Sequence, residues 1–239
     1  MDPPEASRDR LPHPGMRLLQ ALLSVDSYGP VLASILITYV LACSATGESE
    51  RSLVLFAQIG TVWLVFRVSG SRPAVRRATD IVLVIAGLTA ITNLLGETGD
   101  IAANALFAIS CILYFIAPAA IVRHLANKST VDLDTILGAI AAYLLLGMLF
   151  AFAYRWLGEI QSDPLFGAHG PGTMAEDLFF SFTTLLTIGY GNLIPSGTTG
   201  QTMAVTEGLL GSLFLIVMLA KAVAAWQPRV TRPRDDDPS

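Results

Sequence analysis

The sequence has little charge and few of the side chains that carry out chemistry. Only 14% of its 239 residues are charged, and it contains two cysteines and three histidines. A soluble globular domain has about 25% charged residues, so this class is excluded. Cys43 and Cys111 both lie in apolar stretches, which favours free thiols in packed helices over a disulfide or a metal pair. With no cluster of nucleophile, base and metal ligands, we expect neither an enzyme nor a resident cofactor.

Apolar residues, in contrast, make up 53% of the chain and gather in long runs. A helix needs roughly 20 mostly apolar residues to cross a bilayer, because lipid offers no partner to an unpaired backbone amide. Six runs meet this need, which predicts an all-α membrane protein in contact with the lipid bilayer and without a nucleic-acid partner. They cover residues 28–44, 52–68, 80–95, 103–122, 135–157 and 202–226.

The positive charges predict the orientation of these spans. If the spans alternate across the bilayer, every Lys and Arg except Arg51 and Arg155 falls on one side. Basic residues concentrate on the cytoplasmic side of membrane proteins. We therefore expect a multi-pass protein of the cell (plasma) membrane with both termini in the cytoplasm. The opposite loops are acidic, which suits a surface that attracts cations.

Four segments follow from this pattern. Residues 1–27 form a cytoplasmic N-terminal segment that contains a candidate interfacial helix at 16–24. Residues 28–125 form a four-helix transmembrane domain, and residues 130–226 form a two-helix domain with a re-entrant segment. Residues 227–239 are a short cytoplasmic tail. In span five, Gly138, Ala142 and Gly147 have the spacing that lets helices approach closely in lipid.

The segment between spans five and six carries the functional signal. A short amphipathic stretch, 174–186, cannot cross the bilayer, and it is followed by the run Thr187 to Gly191. Non-helical backbone at membrane depth is tolerated where it lines a water-filled path or is buried in protein. To replace the water around a cation, successive carbonyls must point at one axis, which needs alternating backbone handedness. Gly189 and Gly191 supply it, because glycine adopts positive φ without steric cost.

The run from Thr184 to Gly191, TLLTIGYG, resembles the signature of the potassium channel family. The resemblance extends over residues 134–223 and is closest to bacterial channels with a two-helix pore domain. It implies a homotetramer with a re-entrant pore helix and a selectivity filter, in which K⁺ is the permeant ion and no other cofactor is needed. Its ligands would be the carbonyls of Thr187, Ile188, Gly189 and Tyr190, with Gly191 completing the filter.

Five further residues are expected to support the filter. Phe179 and Phe180 can brace it from behind, and Thr184 is the family's pore-helix threonine. Two positions depart from patterns in the family. Asn192 follows the filter where Asp is usual, and Thr183 stands where some members carry an acid. We expect Asn192 to affect block and inactivation rather than basic selectivity.

The spans suggest how the pore does and does not open. A voltage sensor needs several Lys or Arg within the membrane field, and residues 103–122 contain none. We therefore expect a channel that is not voltage-gated. Gly208 and Gly211 are candidates for a bend in span six, although helix packing explains them equally well. Glu207, an acid well inside a span, is either a hydrogen-bonded residue behind the short helix or a protonation site coupled to the filter.

Two alternatives to a passive potassium channel stay open. A secondary transporter or potassium-uptake subunit would need repeated filter-like loops or intramembrane charges for coupling. Repeated filters are absent from the sequence, and Glu207 alone is thin support. A non-conducting subunit that joins other channel chains through span five would instead be found in hetero-oligomers.

Overall fold

The computed structural model describes residues 27–44, 48–69, 100–128 and 131–225, together with positions 77, 80, 81, 84, 87, 88 and 91. Within these residues the fold is all-helical and contains no strand. A short 3₁₀ turn, Gly167–His169, lies in the loop after the fourth helix. The helices whose bounds are described are α1 Tyr28–Ser44, α2 Glu48–Val68, α3 Asp100–Asn127, α4 Leu133–Ile160, α5 Met174–Leu185 and α6 Thr198–Ala225.

Five of the six predicted spans correspond to helices α1, α2, α3, α4 and α6, and the short stretch 174–186 corresponds to α5. By length and hydropathy, two described helices can cross a membrane, namely α4 and residues Thr198–Ala224 of α6. These two helices support a membrane location, and the count of six spans stays a prediction. The candidate helix 16–24, the tail 227–239 and most of span three lie outside the described residues.

Helix α4 is the centre of the fold and packs against α1, α3, α5 and α6. Two glycines allow the closest of these contacts. A Cβ on Gly138 would lie 2.9 Å from Cδ2 of Tyr28 in α1, and a Cβ on Gly147 would lie 2.8 Å from Cε1 of Phe182 in α5. The small residues predicted from the sequence to permit close packing are therefore confirmed at these positions.

The start of α4 is fixed by acidic side chains. Asp132 is the N-cap residue, and its carboxylate accepts a hydrogen bond from the Thr135 amide at 2.8 Å. Asp134 pairs with Lys128 at 2.9 Å and also accepts a bond from the Tyr28 amide at 2.9 Å. The beginning of α1 is thereby tied to the beginning of α4, because Asp134 satisfies an amide that has no partner within α1.

The last helix has a different environment. Only 11% of the most apolar stretch of α6 is buried, compared with 61% in α4. The apolar side chains of α6 are exposed on several sides, among them Val205, Leu209, Leu213, Ile216 and Leu219. A surface this apolar must be covered by lipid or by another protein chain.

Candidate functional site

The segment between α4 and α6 begins with α5, whose N-terminus is fixed by a capping box. The Thr173 hydroxyl accepts a hydrogen bond from the Glu176 amide at 3.3 Å, and the Glu176 carboxylate accepts one from the Thr173 amide at 2.7 Å. This reciprocal pair satisfies amides that have no partner within the helix. At about 1.5 Å per residue, the 12 residues of α5 span about 18 Å, roughly half a bilayer. Helix α5 is therefore too short to cross a bilayer.

Asp177, in the first turn of α5, is fully buried rather than part of an acidic surface. Neither of its carboxylate oxygens has a hydrogen-bond partner, and the nearest cation, Arg155, is 3.9 Å away. Arg155 is already engaged, since it donates to the Gly172 carbonyl and pairs with Glu159, each at 2.7 Å. Burial raises the pKa of Asp177 to about 8, and Arg155 offsets only part of that rise.

The carboxyl end of α5 holds the run that follows it. The Thr183 carbonyl accepts hydrogen bonds from two amides, Ile188 at 2.8 Å and Gly189 at 3.2 Å. The Thr184 carbonyl accepts one from the Thr187 amide at 3.0 Å. Three consecutive amides of the run therefore bond to the helix end. The carbonyls of these three residues do not take part in the hydrogen-bond pattern of the helix.

The backbone of the run alternates in handedness. φ is 57° at Thr187, 57° at Gly189 and 77° at Gly191, whereas Ile188 and Tyr190 have negative φ. Thr187 is the one non-glycine residue with positive φ in the described part of the chain. Alternating handedness is what a strip of carbonyls directed at one axis requires, and the sequence predicted it at the two glycines. The contribution of Thr187 was missed, although counting back by two from Gly189 would have found it.

The supporting residues fall into two groups. Phe179 stacks on Tyr190, with ring centroids 5.7 Å apart and an angle of 12° between the planes. Phe180 instead faces away from the run and packs edge-on against Tyr154 and Phe166. The Thr183 hydroxyl donates to the Phe180 carbonyl at 3.0 Å and so stays within the helix.

Two contacts link the segment to the loop between α4 and α5. The His169 ring lies 2.8 Å from the Asn192 carbonyl, directly after the run. Ser196 binds back to the same loop, through its amide to the Leu165 carbonyl at 2.9 Å. Sequence reasoning missed the His169 contact, because nothing in the spacing links a loop histidine to a residue 23 positions later. All residues from 186 to 192 are exposed in the single chain.

The three candidate gating residues have different surroundings. A Cβ on Gly211 would lie 2.6 Å from Cδ1 and 3.3 Å from the carbonyl oxygen of Leu185, so this glycine permits close packing of α6 on α5. A Cβ on Gly208 would meet nothing within 4 Å. Glu207 is fully buried and lies within hydrogen-bond distance of the hydroxyls of Tyr154 and Ser181. It is therefore hydrogen-bonded behind α5, as the first of its two interpretations has it.

The part of the chain that contains this segment is similar to known proteins. Residues 140–227 match the family model described as Ion channel. The inward rectifier potassium channel Kirbac3.1 of Paramagnetospirillum magnetotacticum is 38% identical over 91 residues, which are 38% of this chain and 28% of that protein. Protein LctB of Bacillus caldotenax is 28% identical over 106 residues, which are 41% of this chain and 77% of that protein. No solved structure gives a significant match.

These findings support the potassium channel family for the matched part of the chain. Together with the two membrane-length helices, the matches support a membrane location and a part in ion transport rather than an enzyme. The chain spans 28% of the length of the inward rectifier that it matches, so the likeness concerns the two-helix domain. Among the described residues, no group of three or more His, Cys, Asp or Glu could hold a metal ion.

Proposed function

We propose that the chain is one subunit of a homotetrameric channel that conducts K⁺ passively and selectively. The carbonyls of Thr187, Ile188, Gly189 and Tyr190 replace the water around the ion, and Gly191 closes the strip at its outer end. Four copies are needed, because one chain supplies one strip and a dehydrated cation must be surrounded. Both termini lie in the cytoplasm, and α4 and α6 are the outer and inner helices of the pore.

The observation that supports this proposal most is the positive φ at Thr187, Gly189 and Gly191, three alternate residues of an exposed run. A run that served only for packing would be buried and would not need a β-branched residue in the left-handed region. The exposed apolar surface of α6 supports the tetramer, because it leaves room for neighbouring subunits around the strip. The carbonyl end of α5 has a partial negative charge and adjoins the run, which favours a cation there.

Potassium flux tests the proposal. The purified chain is reconstituted in liposomes loaded with K⁺, and efflux is followed with a proton ionophore and a pH dye. Efflux is expected with K⁺ or Rb⁺ as the charge carrier and not with Na⁺. Gly189→Asp, which places a carboxylate in the strip, is expected to abolish the flux or its selectivity. Equal efflux of Na⁺ and K⁺ from the wild-type liposomes would refute the proposal.

A further inference from the structure

A buried polar network joins the three helices of the pore domain. Glu207 in α6 lies 2.9 Å from the Tyr154 hydroxyl in α4 and 2.5 Å from the Ser181 hydroxyl in α5. The Ser181 hydroxyl also lies 2.7 Å from the Gly147 carbonyl in α4. The side chains of Glu207, Tyr154 and Ser181 are all fully buried. A polar group buried in this way is costly unless each of its hydrogen bonds is made.

Counting hydrogens assigns the proton in this network. Three contacts need three donated hydrogens. The hydroxyls of Tyr154 and Ser181 supply two, and Ser181 cannot donate to the Gly147 carbonyl and to Glu207 at once. A proton on Oε1 of Glu207 completes the chain. Oε1 then donates to Ser181, Ser181 donates to Gly147, and Tyr154 donates to Oε2 of Glu207.

The charged surroundings agree with a neutral Glu207. In the described part of the chain, no Lys or Arg lies within ion-pair distance of it. The nearby hydroxyl of Tyr143, in α4, is hydrogen-bonded to the Leu185 carbonyl at 2.9 Å. An ionised carboxylate here would be fully buried without a counter-charge, which is expensive in a protein interior.

The network leads directly to the ion-binding run. Ser181 lies two residues before Thr183, whose carbonyl accepts the amides of Ile188 and Gly189. A shift of α6 that moves Glu207 must therefore either break its bond to Ser181 or carry α5 with it. Four residues further along α6, Gly211 contacts Leu185 at the end of α5. Helix α6 thus contacts α5 at two points, a polar one at Glu207 and an apolar one at Gly211.

We propose that protonated Glu207 is a positioning residue that locks α6 to α5 and so keeps the filter in its conducting form. This inference rests on the proposed function, because it concerns the same pore. It makes conduction depend on a hydrogen-bond chain across three helices rather than on the charge of Glu207. The side-chain amide of a glutamine can replace the protonated carboxyl group in that chain, since its NH₂ donates to Ser181 and its oxygen accepts from Tyr154.

Variants of the full-length chain in planar bilayers test the proposal. Glu207→Gln should keep the mean open time within about twofold of the wild type. Glu207→Asp, which keeps the acid but shortens the reach, Glu207→Leu and Ser181→Ala should each shorten it by about fivefold or more, since such a loss corresponds to one buried hydrogen bond. Ser44→Ala is the matched control, because that exposed hydroxyl in α1 bonds only within its own helix.

Two further measurements separate positioning from a merely structural role. The double variant Glu207→Leu with Ser181→Ala should be no worse than the more affected single variant, because both changes break one chain. The infrared difference spectrum of wild type minus Glu207→Gln should contain the carbonyl band of a protonated carboxylic acid. If Glu207→Leu fails to assemble, the mean open times of Glu207→Asp and Ser181→Ala are compared with that of the wild type instead.

The outcomes are distinct. Wild-type chains that conduct no K⁺ would refute the proposed function itself. Wild-type conduction with unchanged open times in Glu207→Asp and Ser181→Ala would overturn only the positioning role. An infrared difference spectrum with carboxylate bands alone, or a Glu207→Gln channel as impaired as Glu207→Leu, would overturn the assignment of the proton.

Discussion

Thr187 shows how the backbone of the run 187–191 is held. A β-branched residue with φ of 57° is unfavourable, and a residue in such a conformation costs about 1 to 3 kcal/mol. It persists because its amide bonds to the Thr184 carbonyl and the next two amides bond to the Thr183 carbonyl. The end of α5 therefore determines the conformation of the run.

A side chain at Gly189 is expected to be strained, for a reason of conformation alone. A Cβ there would meet nothing within 4 Å in the single chain, but φ is 57°. Placing an L-residue in the left-handed region costs about 1 to 2 kcal/mol. Gly189→Ala should therefore lower the K⁺/Na⁺ permeability ratio by about tenfold or more. Gly197→Ala, with equally open space and no positive φ, is the control, and equal ratios in the two variants would contradict this explanation.

Asp177 gives a prediction about pH. Its pKa in the folded chain, about 8, is above the value of an unfolded Asp, about 3.9. The folded state then binds more protons between these values, so the stability contributed by this residue falls as pH rises from about 4 to 8. Asp177→Asn removes the titration. We expect the melting temperature of the wild type to fall more between pH 5 and pH 8 than that of Asp177→Asn.

The control for this titration is Glu159→Gln. Glu159 is a half-exposed acid beside the same Arg155. Its replacement by glutamine should leave most of the pH dependence of the melting temperature in place. Identical melting curves of wild type and Asp177→Asn at both pH values would show that Asp177 does not carry the effect.

At the scale of helices, α5 is wedged between its neighbours. Gly147 of α4 and Gly211 of α6 each leave no room for a Cβ against α5. The T-shaped contact of Phe182 with Tyr39 of α1 adds a third side. Close packing of this kind transmits small displacements, because protein interiors have few voids. The position of α5, and with it the run, depends on all three helices.

The two glycines of α6 are expected to respond differently to alanine. Gly211→Ala places a methyl against the Leu185 side chain, which can move, and near its carbonyl, which cannot. Overpacking of this kind costs about 1 to 3 kcal/mol. Gly208→Ala meets open space and should be neutral or slightly stabilising, because alanine favours helix. Thermal unfolding in detergent compares them, and equal melting temperatures would favour a hinge over packing at Gly211.

Apolar runs predicted the helices well and their ends less well. Helix α1 coincides with the predicted span, whereas α2 begins at Glu48 and α6 at Thr198, each four residues before the apolar run. Hydropathy detects only the apolar part of a helix, and the first turns of α2 and α6 are polar, so these helices begin before the apolar runs. Nor could the sequence distinguish Phe179, which faces Tyr190, from Phe180, which faces α4. Their orientation depends on where Tyr154 and Phe166 lie.

For the molecule as a whole, the absence of Lys and Arg from residues 103–122 predicts the response to voltage. Each charge moved through the field contributes about 2.3 kcal/mol per 100 mV, so a span without charges gains nothing from the potential. We expect open probability in patch recordings to change by less than about threefold between −100 and +100 mV. Steep opening, equivalent to several gating charges for each channel, would contradict this prediction.

The exposed surface of α6 predicts assembly. A single chain leaves most of α6 and the whole run 186–192 uncovered. Four copies around one axis would cover the inner faces of α6, whereas α4 is already covered within its own chain. Cross-linking in native-like membranes should therefore yield a ladder that ends at four subunits. A ladder ending at two would not surround an ion.

The selectivity of single channels tests the central claim most directly. With K⁺ on one side of a planar bilayer and Na⁺ on the other, the account predicts a reversal potential close to the K⁺ equilibrium potential. It also predicts that this potential moves towards zero in Gly189→Ala. A wild-type reversal potential near zero, with Na⁺ carrying as much current as K⁺, would contradict the claim that the carbonyls of residues 187–190 replace the water of a K⁺ ion.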